Sequence, residues 1–162
     1  MIKILHCADL HLDSPMSALG ISKSELRRND LRASFTALTL SAKMNKVDFL
    51  IISSDLFDSE FVSKDTIALL KREFESIPDC KIIIAPGNHD PYTNNSCYRR
   101  GDFPENVYIF NSPELSYFDF PEMNTTVYGW AFTDEHMTSC PLDGFTLENP
   151  SRMSCFPQGE RE

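Results

Sequence analysis

Three short polar segments, each placed just after a run of apolar residues, constrain this chain more than any other feature. The apolar runs cover residues 2–7, 47–52 and 81–85, and runs of this length and composition predict buried strands. The polar segments that follow them are Asp9-Leu10-His11, Asp55-Leu56-Phe57-Asp58 and Gly87-Asn88-His89-Asp90. We therefore expect three strands that each lead directly into groups able to bind a metal ion or a substrate.

Helical patterns separate these strands. Residues 22–25, Ser-Lys-Ser-Glu, have the spacing of a capping box and predict the start of a first helix. Ser63 is a candidate N-cap for a second helix that Pro78 ends. The inward stripe of the first helix is predicted to be Leu31, Phe35, Leu38 and Ala42. Alternation of strands and helices with short links favours right-handed crossovers and a parallel sheet.

The polar segments are expected to meet in space. In a parallel sheet the carboxyl ends of the strands lie along one edge, and ligands bind there. Carboxylate, imidazole and amide oxygen together suit manganese, iron or zinc, and suit magnesium less well. The sequence therefore predicts a site for divalent metal ions at this edge of the sheet.

Four residues are candidate metal ligands. Asp9 and His11 are two apart, so extended backbone would direct both side chains to one ion. Asp55 is placed to bridge that ion to a second about 3.5–4 Å away. Asn88 would offer its carbonyl oxygen to the second ion.

The remaining residues of the third segment suggest acid catalysis. His89 would donate a proton to a leaving oxygen, and Asp90 would orient and charge-stabilise its ring. A two-metal centre generates hydroxide near neutral pH and clamps a phosphate for in-line attack. The pattern therefore indicates phosphoester hydrolysis.

The second half of the chain has a different pattern. Residues 91–104 are expected to form a long loop whose Arg99 and Arg100 are a solvated surface pair. Trp130 is expected to anchor the core. Short strands are predicted over residues 107–110, 115–120 and 125–132, which indicates hairpins. His6 is interpreted as a satisfied core or strand-end histidine, and His136 as a surface residue.

Charge and cysteine content limit the setting. Lys and Arg number 15 against 24 Asp and Glu, and the net charge of −9 disfavours metal-free binding to DNA. The 5 cysteines contain no C-x-x-C pair and fit a reducing compartment. Because no apolar stretch approaches the about 20 residues of a membrane span, we expect a cytoplasmic protein with no membrane contact.

The three segments together resemble the calcineurin-like metallophosphoesterase superfamily. Residues 5–15, Leu-His-Cys-Ala-Asp-Leu-His-Leu-Asp-Ser-Pro, look like its DNA repair exonuclease branch, with its SbcD-related nuclease subunits. Within that branch the closest likeness is to bacterial YhaO-like proteins, and Tyr128-Gly129-Trp130-Ala131-Phe132 looks like a strand of the branch. The similarity covers about residues 1–150.

This resemblance implies a fold, a metal and partners. The fold would be an α/β sandwich of two mixed sheets in α-β-β-α layers, incomplete at its C-terminus. Residues 1–150 would form the N-terminal part of that domain, and residues 151–162 an irregular or truncated tail. The resemblance implies two divalent ions, usually manganese, a DNA or other phosphodiester substrate and an ATPase partner subunit. It also implies the roles given above for Asp9, His11, Asp55, Asn88, His89 and Asp90.

The chain departs from the family pattern at two places. The family usually has Gly before the bridging aspartate, whereas Ser54 precedes Asp55 here. The family's later His-Gly and Gly-His-x-His segments are absent, and Gln158-Gly159-Glu160 stands where His-Gly-Glu is expected. We therefore expect a truncation or a shifted reading frame near Met153, and weak binding of the second ion.

Three functions remain open at this point. The first is a metal-dependent phosphodiester hydrolase of the DNA repair exonuclease type. The second is a small-molecule phosphatase or nucleotidase of the same superfamily. The third is a non-catalytic fragment or interaction module, whose exposed sheet edges would favour a homodimer or aggregation.

Overall fold

A parallel sheet organises the N-terminal part of the molecule. The computed structural model describes residues 1–58, 62–138, 141–143 and 145–146, and the backbone of residues 153–154. The strands are β1 (Ile4–Ala8), β2 (Phe49–Ser53), β3 (Lys81–Ala85) and β4 (Val107–Ile109). They lie in the order β1-β2-β3-β4, and each neighbouring pair is parallel. The predicted parallel sheet is confirmed.

Helices cover one face of this sheet. Helix α1 spans Ile21–Asn45, α2 spans Lys64–Glu75, and the short α3 spans Cys97–Arg100 within the predicted loop. Ser63 is the N-cap of α2, as predicted, and its hydroxyl accepts a hydrogen bond from the Thr66 amide at 3.1 Å. The apolar core on this side contains Phe35, Ala42, Leu50, Ile52, Leu70, Phe74, Ile82 and Ile84.

A second sheet covers the opposite face. Strands β5 (Ser116–Phe120) and β6 (Thr125–Gly129) form an antiparallel hairpin, and β7 (Met153–Ser154) pairs with β6 in parallel. Its core with the first sheet contains Phe49, Ile51, Ile83, Phe110, Phe120 and Val127. Trp130 is buried, as predicted. The stacking of helices, parallel sheet and mixed sheet agrees with the predicted sandwich.

The first strand differs from its prediction. β1 was expected to be buried, but it lies at the edge of the sheet, and Ile4 is 47% exposed. Leu5 and Cys7 pack against the helical side, while the alternate residues face the other way. His6 is exposed, and its Nε2 atom lies 3.1 Å from the Ser53 hydroxyl. The apolar composition of the run indicated a strand correctly but could not locate it within the sheet.

The start of α1 also differs from its prediction. The capping box over residues 22–25 does not form, because the helix already begins at Ile21 with Gly20 as its N-cap. The Ser24 hydroxyl instead donates to the carbonyl oxygens of Gly20 and Met16. The predicted inward stripe of this helix is confirmed, since Phe35 and Ala42 are in the core and Leu31 and Leu38 pack against it.

Residues 151–162 were predicted to be an irregular or truncated tail. Residues 153–154 form strand β7, and residues 151–152 and 155–162 lie outside the described part of the chain, so the prediction for the tail as a whole stays a prediction. Across the residues that the structure describes, no helix combines the length and apolar character that crossing a bilayer requires.

One amide side chain closes the C-terminal end of α2. The Asn106 Nδ2 group donates to the carbonyl oxygens of Phe74, Ile77 and Cys80 at 3.3, 3.0 and 3.1 Å. We expect Asn106→Ala to lower the free energy of unfolding by about 1–2 kcal/mol, because each of these carbonyls loses the hydrogen bond from the Asn106 side chain. Urea unfolding measures this loss, and the exposed Asn111→Ala serves as the control. An unchanged midpoint for Asn106→Ala would refute this role.

Candidate metal centre

The segments after β1 and β2 continue side by side beyond the strands. The amide of Asp9 donates to the Ser54 carbonyl at 3.3 Å, and that of His11 donates to the Asp55 carbonyl at 2.9 Å. Leu12, which is 1% exposed, forms a parallel bridge with Phe57 and anchors the first segment in the core. These contacts fix the backbone from which the candidate ligands project.

The backbone of these segments is not extended. Asp9 and His11 have φ of 54° and 46°, and Ser54 and Asp55 have φ of 67° and 43°. The expectation that extended geometry directs Asp9 and His11 to one side is therefore wrong. Residues other than glycine reach this left-handed region at an energetic cost and remain there only when surrounding contacts hold them. The alternating backbone turns, rather than strand periodicity, bring the side chains together.

Asp9, His11 and Asp55 form a potential metal-binding cluster. Each offers one ligand atom, and these atoms all lie within 4.8 Å of one another. Asp55 is 5% exposed, whereas Asp9 is exposed to solvent. Two carboxylates and an imidazole suit a divalent transition-metal ion, so the chemistry of the donor set fits the predicted ion.

The third segment packs directly against Asp55. The His89 amide donates to Asp55 Oδ1 at 3.1 Å. A Cβ atom at Gly87 would lie 2.2 Å from Asp55 Oδ1 and 2.7 Å from the Asp55 amide nitrogen. Gly87 is therefore required because the two segments approach each other too closely for any side chain. Asn88 lies between Gly87 and His89 and is half-buried, and its role as a ligand stays a prediction.

Asp58 connects the two histidines of the site. Its Oδ1 atom lies 3.2 Å from the Nδ1 atom of His11 and 3.2 Å from the Nδ1 atom of His89. The Ser14 hydroxyl donates to Asp58 Oδ2 at 2.7 Å. The rings of His11 and His89 meet edge to face with centroids 5.4 Å apart. Because the Asp58 carboxylate contacts the Nδ1 atoms of both rings, the Nε2 atoms of His11 and His89 remain available to an ion or a substrate.

Sequence reasoning assigned no role to Asp58 and gave its function to Asp90. The Asp90 carboxylate instead accepts hydrogen bonds from the amides of Gly87 and Phe57 and from the Tyr98 hydroxyl. Among the described residues, the carboxylate beside the His89 ring is that of Asp58, so the predicted Asp90–His89 contact is corrected. The spacing of Asp55 and Asp58 after a strand was the available signal.

Asp90 links the second and third segments through its hydrogen bonds with the amides of Phe57 and Gly87. Burial raises the pKa of Asp90 to about 6, and the hydrogen bonds from Tyr98, Phe57 and Gly87 oppose this rise. Burial also raises the pKa of the Tyr98 hydroxyl well above its usual value. Both carboxylate oxygens of Asp90 accept hydrogen bonds, and these bonds fix the relative position of the second and third segments.

Other candidate residues lie apart from this cluster. His136 is exposed, as predicted. Arg99 and Arg100 are exposed, and they bond within their own loop, to the Asn94 side chain and the Asn95 carbonyl. The interpretation of the two arginines as a surface pair is confirmed.

Ser54 occupies a position that favours glycine. Its φ of 67° and its place beside Gly87 show that this departure from the family pattern strains the backbone. We expect Ser54→Gly to raise the free energy of unfolding by about 0.5–1 kcal/mol, because glycine has no Cβ penalty at positive φ. Ser54→Ala keeps the Cβ atom, so it should give no gain in the same denaturant titration. Equal stabilisation by both variants would contradict the strain.

Comparison with known proteins agrees with this fold. The chain belongs to the calcineurin-like phosphoesterase family, whose model matches residues 2–154. It is similar to the uncharacterized metallophosphoesterase YhaO of Bacillus subtilis (strain 168), with 29% identity over 139 residues. This alignment covers 81% of the chain but 34% of the relative, so the chain spans about a third of that protein's length.

Proposed function

We propose that this chain provides the N-terminal part of a metal-dependent phosphodiester hydrolase of the DNA repair exonuclease type. The observation that carries the proposal is the gathering of Asp9, His11 and Asp55 within 4.8 Å at the carboxyl ends of β1 and β2. Membership of the calcineurin-like phosphoesterase family supports metal-dependent phosphoester hydrolysis as the chemistry.

The side chains divide the work between ion binding and proton transfer. Asp9, His11 and Asp55 would hold the first ion, and Asp55 with Asn88 would hold the second. A bound divalent ion, which we propose to be manganese, supplies Lewis acidity and hydroxide near neutral pH. Asp58 holds the Nδ1 side of the His89 ring at 3.2 Å, which leaves Nε2 to donate a proton to the leaving oxygen. His89 has a side chain that is 51% exposed, so a substrate can reach it.

The choice of a DNA end as substrate rests on sequence likeness. Residues 5–15 resemble the DNA repair exonuclease branch, and the net charge of −9 means that bound cations must offset repulsion of the phosphates. An ATPase partner subunit belongs to the same proposal. The free thiols of Cys7, Cys80 and Cys97 support a reducing, cytoplasmic setting. A small-molecule phosphatase or nucleotidase is the alternative within the family.

A second candidate is an ion-binding module without catalysis. Of the 4 histidines in the sequence, His11 lies in the cluster with Asp9 and Asp55, and His89 lies beside it in a group with His11 and Asp58. Two ions would then share Asp9, His11, Asp55 and Asn88, which is a small ligand set. This observation favours weak binding of the second ion, and with it slow hydrolysis or none.

Hydrolysis assays separate these functions. Purified chain is incubated with Mn²⁺ and, in parallel, with bis-p-nitrophenyl phosphate, p-nitrophenyl phosphate and linear duplex DNA. The proposal expects Mn²⁺-dependent cleavage of the diester and shortening of the DNA from its ends, and His89→Ala should lose about a hundredfold in rate.

The exposed His136→Ala is the matched control and should keep full activity. Cleavage of the monoester alone would favour the small-molecule phosphatase. Mn²⁺ binding without any hydrolysis would favour the ion-binding module. Diester cleavage that survives His89→Ala would refute the proton-donor role.

A further inference from the structure

Asp13 lies two residues after His11, and its carboxylate contacts two helices. Its side chain is 9% exposed, and its backbone has a φ of 64°. Oδ1 accepts hydrogen bonds from Arg32 Nη2 on α1, at 2.5 Å, and from the Thr66 hydroxyl on α2, at 2.8 Å. Oδ2 accepts one from the Ser63 amide at 2.8 Å. One carboxylate therefore joins the segment after β1 to both helices.

The donors around Asp13 are bonded to one another as well. Arg32 Nε donates to the Thr66 hydroxyl oxygen at 2.9 Å, and the Ser63 hydroxyl lies 3.0 Å from the same atom. The Thr66 side chain is fully buried. These four residues, Asp13, Arg32, Ser63 and Thr66, form a closed network that we call the Asp13 clasp. A planar guanidinium and fixed hydroxyls hold the carboxylate in one orientation.

The clasp fixes the end of the first segment that carries candidate ligands. Asp13 ends the segment that holds Asp9 and His11. That segment pairs in turn with the second one, because the amides of His11 and Leu12 donate to the carbonyls of Asp55 and Leu56. Residues other than glycine stay in the left-handed region only while surrounding contacts hold them there. Both segments therefore need such contacts to keep their backbone conformation.

We propose that Asp13 is a positioning residue. Through the clasp it holds the segment after β1 in its binding geometry, and through the backbone pairing of that segment it also holds Asp55. The inference deepens the proposed function, because it explains how the metal centre keeps its shape. Asp13 itself binds no ion in this proposal, since its oxygens are bonded to Arg32, Thr66 and Ser63.

The clasp is tested first in the metal-free chain. Amide hydrogen exchange is measured for His11 and Leu12, whose amides donate to the carbonyls of Asp55 and Leu56. The amide side chain that replaces the Asp13 carboxylate in Asp13→Asn has only one oxygen and no charge, so it cannot accept at full strength from both the Ser63 amide and the Arg32 side chain. In Asp13→Asn, the amides of His11 and Leu12 should therefore exchange at least about tenfold faster. Thr66→Val removes one hydroxyl without changing side-chain size and should act in the same direction. Thr66→Ser keeps the hydroxyl and should retain slow exchange.

The link to the metal centre is tested by Mn²⁺ affinity of the same variants. Asp13→Asn and Thr66→Val should weaken Mn²⁺ binding by about tenfold or more, and Thr66→Ser should not. Asn106→Ala is the matched control, because it destabilises the fold at the far end of α2 and leaves the clasp intact.

The outcomes separate the clasp from the proposed function. Unchanged exchange of His11 and Leu12 in Asp13→Asn and Thr66→Val would overturn the clasp. Faster exchange with unchanged Mn²⁺ affinity would reduce Asp13 to a structural role and overturn its positioning role. Failure of the unaltered chain to bind Mn²⁺ would overturn the proposed function, and with it positioning for an ion, whereas the exchange result would still decide the clasp.

Discussion

Gly87→Ala is expected to abolish Mn²⁺ binding and to lower the free energy of unfolding by about 2–3 kcal/mol. The added methyl group would lie 2.2 Å from Asp55 Oδ1 and 2.7 Å from the Asp55 amide nitrogen, and the latter is backbone that cannot rotate away. Relief requires the segment after β3 to move away from Asp55. That movement displaces the central ligand and breaks its bond with the His89 amide. Calorimetric titration with Mn²⁺ and urea unfolding measure the two effects.

Gly101→Ala is the matched control for this substitution. A Cβ atom there would lie 2.5 Å from the Phe103 ring and 2.6 Å from the Cys97 carbonyl, outside the three segments that carry the candidate ligands. It should therefore destabilise the fold while leaving Mn²⁺ affinity within about twofold. Loss of Mn²⁺ binding in both variants would show that general destabilisation causes the loss. That result would contradict the explanation by close packing of Gly87 on Asp55.

Asp9→Asn is expected to separate stability from ion binding. Asp9, Asp55 and Asp58 place three carboxylates around the imidazoles of one site, and like charges oppose one another. Removing one charge should leave the metal-free chain as stable as before, or more stable by about 0.5–1 kcal/mol. The stabilisation by Mn²⁺, about 2.7 kcal/mol at a hundred times the dissociation constant, should disappear.

Thermal unfolding with and without Mn²⁺ measures both effects. Asp79→Asn removes an exposed carboxylate in the turn after α2 and should retain the full Mn²⁺-induced rise in melting temperature. An equal rise for Asp9→Asn would show that Asp9 is not a ligand. A fall in the stability of metal-free Asp9→Asn would contradict the proposed repulsion among the carboxylates.

The sequence predicted the elements that depend on local pattern. The strand over residues 81–85, the N-cap at Ser63 and the apolar stripe of α1 follow from composition and periodicity, and the structure has them. The convergence of the three polar segments also followed, because parallel strands fix which ends meet. These features require no knowledge of distant contacts.

The features that sequence reasoning missed depend on tertiary contacts. The left-handed backbone of Asp9 and His11 is held by pairing with the segment after β2, which no local pattern reveals. Tertiary contacts also explain why Asp58, and not Asp90 as predicted, lies beside the His89 ring. Asp90 follows His89 in sequence but is buried against Tyr98 and Phe57, whereas Asp58 reaches both histidine rings from another segment. Adjacency in sequence suggested the wrong carboxylate.

The most direct test of the metal centre is a Mn²⁺ titration followed by electron paramagnetic resonance, in which only free aqueous Mn²⁺ gives the strong signal. The proposed site predicts that the chain removes at least one equivalent of Mn²⁺ from solution. His11→Gln and Asp55→Asn should each lose this binding, while His136→Gln should retain it. A free Mn²⁺ signal that follows total Mn²⁺ in the unaltered chain, or equal binding in all variants, would contradict the assignment of these residues as a metal site.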